Sequence, residues 1–294
     1  MDALFGSLLD PSVNLWLQRF STPWLDALMI AITTMGSATF YMVLLPPIYW
    51  LVGREEGHRL FFLFLASIWL NGLFKELFAL PRPSAAEGVR QVVVETSNGF
   101  PSGHAQGSLT LWGFLAIQHR WLRPLAAVLI LLVSLSRLYL GAHYLTDVLG
   151  GLAIGALLLV LFEVGARQGW GSRWPTWLKL SLAVAVPFLL WPIYRTPTAD
   201  QVLGFLLGLL VTDPWALRAI DYEPHGFWWQ QLLKLLLGFA GFALLFALHA
   251  TLLPEQGLPT MLGYALLSAW VTLGAPWLFV RLGLARTASA GASA

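Results

Sequence analysis

Residues 145–163 read LTDVLGGLAIGALLLVLFE, and this stretch decides the fold. Between Asp147 and Glu163 it carries no charged side chain. As a helix rising about 1.5 Å per residue, it reaches across most of the roughly 30 Å of hydrocarbon in a bilayer. Stretches of the same kind recur at 24–52, 59–79, 104–118, 124–140, 175–194, 201–217, 227–252 and 259–280, so about nine spans are expected. The stretch 104–118 is short, and Asp213-Pro214 interrupts 201–217. Backbone polar groups in hydrocarbon must be satisfied within the segment, so the expected fold class is all-α, a polytopic transmembrane helical bundle.

Composition agrees. Of 294 residues, 57% are hydrophobic and 11% charged, with a mean hydropathy of +0.70. A soluble domain carries about a quarter charged residues, and far fewer cannot cover its surface. The 18 Phe and 15 Trp rule out a disordered chain. With no cysteine, disulfides, thiolate metal sites and cysteine nucleophiles drop out. No Lys/Arg-rich run or basic stripe marks a nucleic-acid partner.

Charge asymmetry orients the spans. Arg54, Arg59, Arg120, Arg123, Arg167, Arg173, Lys179, Arg218, Lys234, Arg281 and Arg286 fall on or beside connections of one side. The other side has Arg19, Arg90 and Arg195, apart from Lys75, Arg82 and Arg137. The positive-inside rule puts the first side in the cytoplasm, with the N-terminus outside and the C-terminus inside. Residues 1–20 mix Leu, Phe, Val and Trp with Asp, Asn, Gln and Arg, as an interfacial helix does. They lack a basic region followed by an apolar run, so the first span is expected to serve as the insertion signal. The organisation expected is an interfacial helix over 1–20, a core over 21–165, further spans over 175–284 and a flexible tail over 285–294. The outer connection Pro81–Gly103 is the only long polar one in the first half.

Three segments beside that connection carry chemistry. In Lys75–Pro83, two cations seven residues apart share one side if the helix runs through Leu80. Cations at helix ends also snorkel to the interface, so this segment alone decides nothing. In Phe100–His104, Ser102 is a fair N-cap, Gly103 permits close approach to the backbone, and helix-start N–H groups favour an anion. His104 follows on the first turn. In Ser136–Asp147, His143 and Asp147 are four apart and share a helix face. A carboxylate on one ring nitrogen leaves the other as a base or nucleophile, and Asp147 needs such a partner near hydrocarbon. Topology brings all three segments to the outer face. Three cations, helix-start amides and two histidines with one carboxylate suit a phosphate: donors hold its oxygens, one His attacks phosphorus, another protonates the leaving oxygen.

The pattern Lys-x6-Arg-Pro, Pro-Ser-Gly-His, Ser-Arg-x5-His-x3-Asp resembles the signature of the type 2 phosphatidic acid phosphatase superfamily over roughly residues 20–165. The resemblance implies that His143 is the nucleophile of a phosphohistidine, that Asp147 orients it and that His104 is the general acid. It implies phosphate binding by Lys75, Arg82, Ser102, Gly103 and Arg137, and catalysis with no metal or other cofactor. The expected function is a lipid phosphatase of the plasma membrane, acting at the outer face on a phosphatidate, phosphatidylglycerophosphate or polyprenyl diphosphate type of substrate drawn from the bilayer. The extra C-terminal spans are similar to the glucose-6-phosphatase and sphingosine-phosphate phosphatase branches, which keeps a sugar phosphate or transfer to another lipid as alternatives. A transporter is the alternative from another class; its charges belong at the midplane rather than at one face. The group Asp213, Asp221, Glu223 and His225 reads as a solvated loop, and His58, His119 and His249 as interface or packing residues.

Overall fold

Helix starts are written locally. Thr22 precedes Pro23 and accepts from the Leu25 N–H at 3.2 Å; Thr196 precedes Pro197 and accepts from Ala199 at 3.1 Å. In each, the hydroxyl caps a free N–H and proline sits at the first helical position, where no donor is lost. The structure is a computed structural model and describes residues 9–220 and 222–287. Its helices are α1 (Ser12–Gln18), α2 (Pro23–Thr34), α3 (Ala38–Pro47, continued by a π-turn Ile48–Val52), α4 (Arg54–Phe78), α5 (Gly103–Gln118) and α6 (Arg123–Tyr139). They continue with α7 (Leu145–Arg167), α8 (Thr176–Leu190), α9 (Pro197–Ala219), α10 (Trp228–Leu252), α11 (Leu258–Ala269) and α12 (Ala275–Arg281). Short strands Tyr222–Glu223 and Arg286–Thr287 pair antiparallel.

Helix fills most of each of the nine expected stretches, although 24–52 is broken at 35–37 and the helix in 175–194 ends at Leu190. Among the described residues, five helical stretches are long and apolar enough to cross a membrane: 54–78, 120–139, 145–167, 228–252 and 258–281. The pair α2 and α3, bent by 48°, makes up to six. The stretch at α5 is 16 residues, α8 is 15, and α9 carries Asp200, Asp213 and Pro214. The first eight residues of the expected interfacial helix, and 288–294 of the expected tail, lie outside the described residues.

The chain divides into two compact units. One comprises 1–41 and 66–168, the other 42–65 and 169–294, as far as these are described. In the first, α5 packs on α6 and α7, while α1 and α2 pack on α6. Small residues make the α5–α7 crossing close: a Cβ on Gly151 would stand 2.5 Å from the Ser102 carbonyl oxygen. This is the packing that membrane helices use where apolar surface alone gives no drive to associate. It sets the start of α5 against the start of α7.

In the second unit, α9 packs on α8 and α11. Its two π-turns are matched. The Trp50 indole N–H donates to the Val271 carbonyl at 2.8 Å and the Tyr49 hydroxyl to that of Thr272 at 3.1 Å. Carbonyls loosened in Trp270–Gly274 thus find donors from Ile48–Val52. The acidic group read as a solvated loop is divided. Asp213 lies on α9 and pairs with Arg54 at 3.6 Å and His58 at 3.4 Å, because a carboxylate in an apolar helix needs counter-charges. Glu223 pairs with exposed His225 at 3.9 Å, and Asp221 lies outside the described residues. His249 packs edge-on against Tyr264, as expected of a packing residue.

Candidate active site

The turn from α6 to α7 builds the centre. Gly141 takes φ 69°, and a Cβ there would lie 2.5 Å from the Arg90 carbonyl oxygen, so both conformation and space call for glycine. His143 follows in the turn, two residues before α7 begins, and is 1% exposed. Its pairing with Asp147 is made, Nδ1 to Oδ2 at 3.2 Å, but not along one helix face. Asp147 instead reaches back from the first turn of α7, as capping carboxylates do, and the same oxygen accepts the Tyr144 N–H at 3.0 Å.

Asp147 assigns the Nδ1 proton of His143, leaving the Nε2 lone pair to face Arg82, whose Nη1 lies 3.1 Å away. Burial, then the charges of Arg82, Arg137 and Lys75, hold the His143 imidazole well below its ordinary pKa. The ring is neutral at pH 7 and its Nε2 lone pair is available. Asn14 of α1, fully buried, donates to the carbonyls of Leu138 at 2.8 Å and His143 at 2.9 Å, bracketing the turn.

Arg82 does not arrive on a helix. Ala79, at φ 47°, ends α4 at Phe78, and the loop carries Arg82 back over the site. Its guanidinium donates to the carbonyls of Ser97 at 2.6 Å and Ala142 at 2.7 Å. Lys75 donates to the Asn98 carbonyl and, at 3.4 Å, to that of Gly99; Arg82 shares the Asn98 oxygen at 3.2 Å. Arg137, 1% exposed on α6, is held by the Thr33 hydroxyl at 2.8 Å. Both arginines close on one carboxylate, Glu95: Arg82 Nη2 to Oε2 at 3.1 Å, Arg137 Nη2 to Oε1. Burial pushes the Glu95 carboxyl up, yet Arg137 and Arg82 outweigh it and hold it below its usual range.

Ser102 stands at the N-cap of α5, but its hydroxyl does not cap; Oγ is buried without a partner. Its N–H donates to the Asp147 carbonyl at 2.9 Å. Arg137 Nε and Asp147 Oδ1 are likewise buried and unpartnered. Gly103 and His104 open α5, and the His104 ring lies beside Gly36 and within electrostatic reach of Arg137, Glu95, Arg82 and Lys75. All eight expected site residues therefore gather in the first unit. Spacing alone had not pointed to Thr33, Asn14 or the bridging place of Glu95. Asn14 and Thr33 had no signal beyond polarity in an apolar segment, and Glu95 was one of several polar residues near the motifs.

The apolar helices and a buried His–Asp pair ringed by cations define a class of helical membrane protein with a cationic centre. Comparison with known proteins places the chain within it. Residues 57–168 match the PAP2 superfamily and residues 201–287 match the PAP2 superfamily phosphatase transmembrane extension; the chain belongs to the PAP2 superfamily. It is 32% identical to phosphatidylglycerophosphatase B of Bacillus subtilis over 48% of this chain and 75% of that one. It is 30% identical to a dihydrosphingosine 1-phosphate phosphatase of Schizosaccharomyces pombe over 66% of this chain, spanning 52% of that relative's length. The crystal structure of a Bacillus subtilis PAP2 phosphatidylglycerolphosphate phosphatase aligns with a TM-score of 0.47 at 26% identity, over 57% of this chain and 88% of that one.

Proposed function

We propose that the chain is an integral membrane phosphatase that hydrolyses a lipid phosphate or pyrophosphate monoester. The observation that carries this reading is the buried His143, paired at Nδ1 with Asp147 at 3.2 Å and with Nε2 facing a guanidinium 3.1 Å away. A phosphate oxygen held by that guanidinium brings phosphorus to the same nitrogen. In the first step Nε2 forms a bond to phosphorus, the phosphorus–ester oxygen bond breaks, and the leaving oxygen takes a proton from His104. In the second, water attacks the phosphohistidine, gives its proton back to His104, and phosphate leaves. Lys75, Arg82, Arg137, the Ser102 hydroxyl and the backbone at Gly103 hold the oxygens throughout, taking the part of a metal clamp. The anionic substrate itself favours the protonated form of His104 that the first step needs.

The relatives named above are, by their names, phosphatases of lipid phosphates, which supports a lipid as substrate. A lipid keeps its chains in hydrocarbon while its headgroup lies among the cations, so positioning and local concentration favour it over a soluble ester. With purified protein in mixed micelles, kcat/KM is expected to be at least about tenfold higher for a long-chain lipid phosphate than for glucose 6-phosphate. Comparable values would favour a sugar phosphatase.

The same proposal sets the site at the outer face of the plasma membrane, with nine spans, the N-terminus outside and the C-terminus inside. In it, residues 1–20 lie at the interface, 21–165 carry the chemistry, 175–284 add spans and 285–294 form the tail. The charge bias supports it. The chain has no native cysteine, so single cysteines report cleanly. Those replacing Ser84 and exposed Thr198 are expected to label in intact cells, and those replacing exposed Glu55 and Gln168 only after permeabilisation. Labelling at position 55 from outside would move the site to the cytoplasm.

A further inference from the structure

Glu95 occupies the place where the substrate is expected. Its two carboxylate oxygens take one N–H from Arg82, at 3.1 Å, and one from Arg137. These guanidiniums are two of the three cations of the proposed phosphate cradle, and Arg82 also reaches His143 Nε2 at 3.1 Å. The carboxylate does not use the whole cradle. Ser102 Oγ and Arg137 Nε are buried without partners, so donors remain that a planar group with two oxygens does not reach. A tetrahedral group with three terminal oxygens has one more acceptor to offer them.

We propose that Glu95 is a specificity-determining residue that makes the site choose phosphate monoesters over the phosphodiester lipids surrounding it. The inference rests on the phosphatase reading above. A site at headgroup height is bathed in phosphodiesters, each with one negative charge and two terminal oxygens. A bare arginine pair would bind them and be blocked. Glu95 matches a diester in both respects, and it is tethered to the same chain. Its effective concentration is therefore on the order of millimolar or above, without loss of entropy on each encounter. A diester has no advantage over it. A monoester near neutral pH carries between one and two negative charges, since its second pKa is about 6, and has three terminal oxygens. It displaces the carboxylate and engages the unused donors as well. Specificity here is built by giving the wrong ligand an equal competitor, rather than by adding contacts to the right one.

The test measures two anions against full-length protein in neutral detergent: inorganic phosphate, and short-chain phosphatidylglycerol as the diester. Dissociation constants from calorimetry are compared with competitive inhibition constants on a soluble monoester. For Glu95→Gln, the ratio of the diester constant to the phosphate constant is expected to fall at least about tenfold, chiefly because the diester binds more tightly. Glu95→Asp keeps the charge but is one methylene short of spanning both arginines, and is expected to lie between, with the diester at least about threefold tighter. Thermal unfolding is followed for each variant; should Glu95→Gln not fold, Glu95→Asp alone decides. An unchanged ratio, or weaker binding of both anions, overturns the proposal and makes Glu95 only a strut for the arginines. Failure of the phosphatase reading is a separate result: wild-type protein that neither turns over any monoester nor binds phosphate.

Discussion

His143→Ala is expected to lower kcat on a lipid phosphate by at least about a thousandfold, with the protein still folded. Three decades of rate correspond to about 4 kcal/mol of barrier, the scale on which loss of a covalent route is felt. In the proposed mechanism His143 is the nucleophile: Asp147 takes Nδ1, burial and neighbouring cations hold the imidazole pKa well below its ordinary value, and Nε2 faces Arg82. Wild-type protein quenched in detergent during turnover should carry a phosphoryl group that survives base and is lost in acid, and the variant should carry none. A variant retaining near wild-type rate would remove His143 from the role of nucleophile. Because the His143 side chain accepts from Arg82, a phosphate-binding measurement on the variant separates lost chemistry from a disturbed cradle.

The second large effect concerns His104, whose role depends on the leaving group. General acid catalysis contributes roughly a hundred- to ten-thousandfold where the departing oxygen needs a proton, and little where it does not. In single-turnover formation of the phosphohistidine, which precedes the water step common to both esters, His104→Ala should therefore lose at least about a hundredfold on an alkyl phosphate and only a few-fold on p-nitrophenyl phosphate, whose phenolate leaves unassisted. Equal losses on both esters would assign His104 to phosphate binding or folding. The ring stands beside Gly36 and within electrostatic reach of Arg137 and Arg82.

Much of the fold and of the candidate site was legible in the sequence because membrane helices and short charged motifs are both specified by local pattern. Apolar runs such as 145–163 announce helices, since in hydrocarbon the backbone has few other ways to satisfy itself. Thr22-Pro23 and Thr196-Pro197 announce where two of them begin. The His143–Asp147 pair could be anticipated from a spacing of four, although the structure makes it by a carboxylate reaching back from the helix start rather than by a shared helix face. Similarly, Lys75 and Arg82 meet at the Asn98 carbonyl, but through a chain reversal at Ala79 rather than along a continuing helix.

By itself, the sequence determined the class of the protein, the helical segments and the residue types of the site, because each follows from neighbours within one or two helical turns. Tertiary structure alone decided which distant groups complete the site. Asn14 bonds to His143 across 129 positions and Arg137 to Thr33 across 104, and no periodicity links residues so far apart. The same holds for Asp213, which reads as solvated from its polar neighbours and is instead paired with Arg54 and His58. It holds most of all for Glu95, one of two carboxylates on the loop between α4 and α5 until folding sets it between two guanidiniums. A charge buried by packing must find its counter-charge wherever packing has put one, and that is a property of the assembled helices rather than of any single segment.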